Sequence, residues 1–169
     1  MTVNDTYTED LVSVETNSKT VMTRVGIIAV AIILSLGIFL FIPRFLFLIV
    51  LVIILAAFLW QYTKLEYEYN FLSPDFDVDK IINQNKRKKV FSTNFKEIEL
   101  IAPYGSHRLD GYLHGKVTKT LDFSSGNEKH KRYSMIVNQD GSFIHVIIEP
   151  SEKTVQLFRL TSMQKVFLD

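Results

Sequence analysis

The sequence contains no cysteine and only seven glycines and four prolines among its 169 residues. Without cysteine, disulfide bonds and thiolate metal sites are excluded. The chain has neither a glycine-rich phosphate loop nor a G-x-S-x-G nucleophile motif. Its formal net charge is only +1, so the chain as a whole does not attract a polyanion such as nucleic acid. These absences predict a protein that is not an enzyme and that uses no cofactor and no metal.

Charged residues are almost absent from residues 25–63, where Arg44 is the only one. Residues 25–42 and 45–60 are continuously apolar, and as one helix they would measure about 54 Å, against about 30 Å for the hydrocarbon core of a bilayer. Pro43 lacks an amide donor and disfavours helix in the residue before it, so the helix breaks there. We therefore predict a transmembrane α-helical hairpin at 24–62, with Pro43 and Arg44 at its tip.

Positive charge flanks the open end of this hairpin. Lys19, Arg24 and Lys64 lie there, whereas the tip carries Arg44 alone. The positive-inside rule then predicts a multi-pass protein of the cell membrane with both termini in the cytoplasm. The preceding tail, residues 1–23, is acidic and has few large apolar side chains, and we expect it to be disordered.

After the hairpin the hydrophobic pattern changes to strict alternation, as in a half-buried strand. Leu65, Tyr67, Tyr69 and Phe71 alternate with polar residues, and a Ser-Pro-Asp turn leads to a second strand that should pair with the first. Further strands are predicted at 88–92, 97–101, 116–123, 132–138 and 142–148. Asp140 and Gly141 form a strong hairpin signal between the last two strands. A short amphipathic helix follows at 153–161, and a strand-like piece at 165–168 packs back.

About seven antiparallel strands followed by a helix is the plan of a pleckstrin-homology-like barrel. The segments LEYEYNF, FDVDKIINQNKRKKV, IELIAPYG and EPSEKTVQLFRLTSMQKVF also resemble an uncharacterised family of small bacterial membrane proteins. In that family two spans precede a domain similar to bacterial pleckstrin-homology-like modules. The resemblance covers roughly residues 65–167 and implies architecture and cytoplasmic orientation, not a reaction. The expected fold is thus the hairpin followed by a mainly antiparallel β domain at 63–169 with one C-terminal helix.

Two groups of residues have the composition of a chemical site without its spacing. Asp75, Asp77 and Asp79 resemble the start of a calcium loop, but Lys80 stands where the loop needs glycine and Lys86 where it needs glutamate. Alternation explains the three carboxylates as the solvent face of a strand.

The histidines likewise give no recognised ligand set. Only His107 and His114 are close in sequence, while His145 alternates with apolar residues and is expected to be partly buried in a strand. Ser106, His107 and Asp110 supply the residue types of a hydrolase triad within the 103–115 loop. Residue types alone do not make a triad, because the base must be oriented by a third group.

The most suggestive group is the basic tetrad Lys86, Arg87, Lys88 and Lys89. Cations beside a bilayer attract anionic headgroups, at about 1 kcal/mol for each cation that reaches the surface. Alternate side chains of a strand point in opposite directions, so only part of the tetrad can act together. Lysines also protect a sheet edge from aggregation, which is the simpler interpretation. The run is not interleaved with stacking aromatics, so no nucleic-acid partner is expected.

These observations lead to two functional hypotheses. The first is a membrane-anchored, non-enzymatic interaction module whose cytoplasmic domain contacts a protein partner or anionic lipid headgroups through the basic tetrad or a sheet edge. The second is an enzyme or transporter accessory subunit with a site in the 103–115 loop. Convergence of the histidines and acids in a concave pocket would favour the second hypothesis.

Overall fold

The structure is a computed structural model that describes residues 7–15, 18–83 and 85–169. It begins with β1 (Tyr7–Ser13), continues through α1 (Ser18–Phe41), a 3-10 turn (Pro43–Phe45) and α2 (Phe47–Gln61), and then enters the main β region. The strands that follow are β2 (Leu65–Leu72), β3 (Asp75–Ile82), β4 (Lys86–Asn94), β5 (Ile98–Pro103), β6 (Val117–Asp122), β7 (Tyr133–Gln139) and β8 (Ser142–Ile148). A 3-10 turn (His107–Leu109) and α3 (Asp110–Leu113) lie between β5 and β6, and α4 (Glu152–Thr161) follows β8.

The strands form two four-stranded sheets. Sheet A has the order β1-β2-β3-β4 and is antiparallel throughout. Sheet B has the order β5-β7-β8-β6, in which only β6 and β8 run parallel. The fold is therefore a mainly antiparallel, pleckstrin-homology-like domain with a C-terminal helix, as the strand pattern predicts.

One prediction is wrong: the N-terminal tail is not disordered along its described part. Tyr7–Ser13 form an edge strand whose residues pair with β2 from Tyr7 opposite Leu72 to Ser13 opposite Glu66. Thr8 and Val12 are buried against the core. The alternation of this strand is obscured in the sequence because Thr8, one of its core-facing residues, is polar. Residues 1–6, 16 and 17 of the predicted tail lie outside the described residues.

This pairing changes the domain plan. The two helices lie between two neighbouring strands of one sheet, so the β domain does not simply follow the hairpin at residue 63. The main-chain N–H of Val14 donates to the carbonyl of Leu65 at 3.0 Å, which places the entry to α1 beside the exit from α2. The helical pair is thus an insertion into the β1–β2 connection.

The core fills the space between the sheets and beneath α4. Phe158 of α4 is fully buried, and its ring lies 5.0 Å from that of Phe71 and 5.5 Å from that of Phe76. The helix begins at Glu152, one residue before the predicted start, and the Ser151 hydroxyl caps it by accepting from the Thr154 N–H at 3.3 Å. Ser162 follows its C-terminus in an extended conformation.

Local turn chemistry fixes the other predicted connections. Asp140 and Gly141 both adopt positive φ, at 51° and 81°, which is the conformation that a tight β7–β8 hairpin requires. The C-terminal segment packs back as expected: Val166 forms a parallel bridge with Ile101 of β5. The edge of sheet B at β5 is therefore covered by the end of the chain.

Buried side chains match most of the alternation-based prediction. In β2, Tyr69 and Phe71 have no exposed surface, whereas Leu65 and Tyr67 are only partly buried. The Tyr69 hydroxyl donates to the Phe123 carbonyl at 2.7 Å and accepts from the Glu149 N–H at 3.1 Å. One tyrosine therefore ties sheet A to the end of sheet B.

Candidate functional site

The basic tetrad lies at the end of sheet A from which the two helices emerge. β4 begins with Lys86, and the turn before it is tied to the segment after α2, because the Asn83 N–H donates to the Lys64 carbonyl at 3.1 Å. The Lys64 N–H in turn donates to the carbonyl of Gln61, the last residue of α2, at 3.2 Å. The sequence places the tetrad more than twenty residues after the apolar block, but the antiparallel sheet returns it to the base of the helices.

Two of the four cations are neutralised by acids on the outer face of sheet A. The guanidinium of Arg87 lies 2.7 Å from one carboxylate oxygen of Glu68 and 3.0 Å from the other. Lys89 donates to Asp77 at 2.5 Å. Partial burial acts to raise the pKa of Asp77, but hydrogen bonds from Lys89 and Ser92 outweigh it, so the pKa of Asp77 is lowered. Arg87 and Lys89 are therefore each paired with a carboxylate across the sheet.

The other two cations point to the opposite face because strand side chains alternate. In the β3–β4 register Lys86 is opposite Ile82 and Lys88 is directly opposite Lys80. Like charges directly across a strand pair are destabilising. Within residues 7–15, 18–83 and 85–169, no acidic side chain forms an ion pair with Lys80, Lys86 or Lys88. We call Lys80, Lys86 and Lys88 the lysine rim, because they lie on the core-facing side of the sheet beyond the end of the core.

The bases of the two helices are fastened together beside this rim. Arg24 of α1 donates through Nε to the Thr63 hydroxyl at 2.8 Å, and its guanidinium carbon lies 5.1 Å from the centre of the Trp60 ring. Thr63 also donates to the Trp60 carbonyl at 2.8 Å. Tryptophan is enriched at the boundary between water and lipid, and arginine in the cytoplasmic segments that flank membrane spans.

The 103–115 loop does not assemble a hydrolase triad. The His107 side chain is fully exposed and its Nδ1 lies 3.3 Å from Asp110, but the Ser106 hydroxyl points elsewhere and donates to the Asp169 carbonyl at 3.4 Å. No base therefore contacts the serine, which a nucleophilic mechanism requires.

Sequence reasoning missed a different Ser, His and acid group. Glu149, at the end of β8, accepts from the Ser125 N–H at 3.1 Å and contacts Nδ1 of His130 at 2.7 Å. The Ser125 hydroxyl approaches the same nitrogen at 3.4 Å. A triad needs serine and acid on opposite ring nitrogens, so this group is a polar clip that holds the 124–132 loop. No sequence spacing signals it, because its members come from two distant segments.

Of the other candidate ligands, Asp75, Asp79 and His145 each bond to a neighbouring strand, whereas His130 and Glu149 line one groove. Asp75 accepts from Asn94 and Asp79 from Asn70, each across neighbouring strands. His145 is buried in sheet B, where Nε2 lies 2.8 Å from the Ser134 hydroxyl, as its alternation predicts. Burial lowers the pKa of His145, although Asp122 opposes this effect. Across the three described ranges, no three His, Asp or Glu side chains are grouped so as to hold a metal ion.

The fold places the chain in the class of pleckstrin-homology-like domain proteins, and the lysine rim lies at one end of this domain. The chain belongs to the family described as bacterial PH-like domain (DUF6106), whose model matches residues 4–168. The match includes β1, both helices and both sheets, and it confirms the bacterial pleckstrin-homology-like resemblance. No curated protein and no solved structure matches the chain.

One helix of the described residues is long and apolar enough to cross a membrane. It covers Thr20–Phe41, with a mean hydropathy of 2.5, and none of it is buried within the protein. The second apolar helix, Phe47–Gln61, is shorter.

Proposed function

We propose that this protein is a membrane-anchored, non-enzymatic interaction module, in which a two-span hairpin holds the β domain against the cytoplasmic face of the cell membrane. The observation that carries the proposal is the insertion of α1 and α2 between the paired strands β1 and β2. Because both ends of the helical pair join one sheet, the chain must cross the bilayer an even number of times.

The lengths of the two arms support two crossings. From Arg24 to Phe41 the first arm rises about 26 Å at 1.5 Å per residue. The return from Pro43 to Trp60 measures about 27 Å, because the 3-10 turn rises about 2 Å per residue and extends the shorter α2. Both values approach the roughly 30 Å hydrocarbon thickness.

Charge supports a cytoplasmic domain with both termini on its side. Arg24 and Lys64 flank the open end of the helical pair and the lysine rim lies beside them, whereas Arg44 is alone at the tip. Cations are retained in the cytoplasm, so the sheet end faces inward.

The same arrangement supports contact with anionic headgroups. The lysine rim is held within a few residues of the base of α2, and its charges lack acidic partners in the described part of the chain. An anionic headgroup relieves the repulsion between Lys80 and Lys88 and adds about 1 kcal/mol for each cation that reaches the surface. The anchor supplies the affinity for the membrane, and the rim orients the domain on it.

A quenching experiment tests the lipid contact in the full-length protein. A cysteine at Asn85, in the exposed β3–β4 turn, is labelled with a fluorophore, and the protein is placed in nanodiscs containing brominated phosphatidylglycerol or brominated phosphatidylcholine. We expect stronger quenching by the anionic lipid, and loss of this preference in the Lys86→Gln/Lys88→Gln variant. The matched control is Lys96→Gln/Lys119→Gln, which removes the same charge from exposed positions elsewhere in the domain. Equal quenching by both lipids, or equal effects of the two double variants, would contradict the proposal.

A further inference from the structure

Among the described residues, the edge of β1 that faces away from β2 borders a groove that neither the helical anchor nor the lysine rim uses. The groove has a volume of about 910 Å³. Its near wall is formed by residues 9–13 and 15, and its far wall by Ser125, Lys129, His130, Lys131 and residues 149–152. Five residues of strand give the near wall a length of about 16 Å.

The main chain of β1 presents hydrogen-bonding groups to this groove. In an antiparallel ladder alternate residues bond to the neighbouring strand. The Val14 N–H bonds to Leu65 of β2, so Val12 and Asp10 also face β2, whereas Glu9, Leu11 and Ser13 direct their N–H and C=O groups away from it.

The next residue in this outward series already makes a strand-like bond. The Glu15 N–H donates to the Ser125 carbonyl at 2.8 Å, across the end of the groove nearest the helices. No such bond from Leu11 or Ser13 to the far wall is seen within the described residues. The edge is therefore geometrically able to accept a further strand over Glu9 to Ser13.

Both walls of the groove are held in place. At one end Glu149 binds Ser125 and His130, and Asn127 donates to Glu15 at 2.6 Å. At the other end Asp10 accepts from the Ser151 N–H at 2.8 Å on the core-facing side of the strand. A preformed groove of this kind saves an incoming segment the cost of ordering its site.

The charges that line the groove favour a basic segment over an acidic one. Five carboxylates line it, from Glu9, Asp10, Glu15, Glu149 and Glu152, against two lysines, Lys129 and Lys131. A second copy of β1 would add its own Glu9 carboxylate to a groove that already has more acids than lysines, so charge disfavours self-pairing. A lysine or arginine opposite Glu9 would instead form a favourable cross-strand pair.

We infer that β1 and the groove beside it form a docking surface for an extended segment of a protein partner that carries basic side chains at alternate positions and adds as a fifth strand to sheet A. Main-chain hydrogen bonds would supply affinity and the alternate basic side chains would supply specificity. This inference deepens the proposed function by naming the surface and the chemistry of the protein partner.

The test uses full-length protein in nanodiscs of phosphatidylcholine alone, so that a basic peptide does not bind the lipid. The probes are two fluorescein-labelled peptides, KVKVTVK and EVEVTVE, and binding is followed by fluorescence anisotropy. We expect KVKVTVK to bind about tenfold more tightly than EVEVTVE. Glu9→Lys should weaken binding of the basic peptide.

Leu11 offers a matched pair of variants that separates main chain from side chain. Leu11→Pro removes an N–H that points into the groove and leaves the β1–β2 hydrogen bonds intact, because proline is tolerated where an edge strand faces solvent. Leu11→Thr keeps the N–H and removes the exposed leucine side chain. Leu11→Pro should weaken binding about tenfold, and Leu11→Thr should change it less than about twofold.

The inference is overturned if neither peptide binds at about 1 mM, if both bind equally, or if the two Leu11 variants bind alike. The lipid preference of the Asn85-labelled protein is measured separately. Loss of that preference with peptide binding intact would refute the lipid contact alone, and the reverse result would refute the groove alone.

Discussion

The two inserted helices and the β domain are both rich in apolar side chains, but only the β domain buries them. Phe71 and Phe158 have no exposed surface, whereas Phe41 of α1 is 84% exposed and Ile33 is 69% exposed. α2 has no buried residue at all. α1 and α2 pack against each other and leave most of their surface without contact to the rest of the described protein.

Under the proposed function, the two regions are stable in different solvents. The β domain removes its apolar surface from water by packing sheet on sheet, at about 25 cal/mol for each Å² buried. The helices satisfy their main-chain hydrogen bonds internally, which is the condition for stability in lipid. Because short connections beside Val14 and Leu65 join the two regions, we predict that they can be separated.

The largest expected effect follows from removing the helices. Val14 and Leu65 are hydrogen-bonded neighbours, so Asn-Gly in place of residues 15–64 should close a two-residue β-hairpin. The shortened protein is expected in the soluble fraction as a folded domain with a β-type circular-dichroism spectrum. An insoluble or unfolded product would show that the β domain needs the helices to fold, and would contradict the prediction that the two regions can be separated.

The next effect concerns β1, which the sequence pattern did not reveal. Residues 64–169 alone lack this strand and expose the edge of β2, where Tyr69 and Phe71 lie opposite Asp10 and Thr8 of β1 in the full protein. We expect their free energy of unfolding in urea to be about 5 kcal/mol below that of the Asn-Gly protein, since several buried side chains lose cover. Equal stability of the two proteins would mean that β1 is not part of the folded unit.

A smaller effect is expected for a single core side chain. Phe158→Ala in the Asn-Gly protein should cost about 3 to 5 kcal/mol, because the ring fills the space beneath α4 among three other phenylalanines. Leu160→Ala, two residues along the same helix, removes a side chain that is 74% exposed and should cost less than about 0.5 kcal/mol. Similar losses from both variants would contradict the placement of α4.

The smallest effect is a dependence of stability on pH. Burial lowers the pKa of His145 below its ordinary value of 6.5. As the pH falls below 6.5, His145 of the unfolded chain binds a proton before His145 of the folded domain does. The free energy of unfolding therefore falls as the pH falls below 6.5. His145→Gln should flatten this part of the pH profile measured by urea unfolding. A profile unchanged by the substitution would show that the histidine is not held in its neutral form.

The sequence predicts what depends on local periodicity. Alternation located β2 and each strand after it, and Asp140 with Gly141 located the β7–β8 turn. β1 was missed because two of its three core-facing residues, Thr8 and Asp10, are polar, so its strand character depends on a partner more than fifty residues away.

The functional surfaces depend still more on pairing between distant segments. The tetrad is contiguous in sequence, but only the β3–β4 register separates neutralised Arg87 and Lys89 from Lys86 and Lys88, and only that register adds Lys80. The groove beside β1 is formed by three segments far apart in the chain, and no spacing in the sequence predicts it.

Cysteine accessibility in intact bacteria tests the central claim most directly, because the chain has no cysteine of its own. Arg44→Cys at the tip between the helices should react with a membrane-impermeant thiol reagent, while Lys129→Cys in the β domain should react only after lysis. Reaction of Lys129→Cys in intact cells, or protection of Arg44→Cys, would contradict a hairpin that crosses the membrane twice and holds the domain in the cytoplasm.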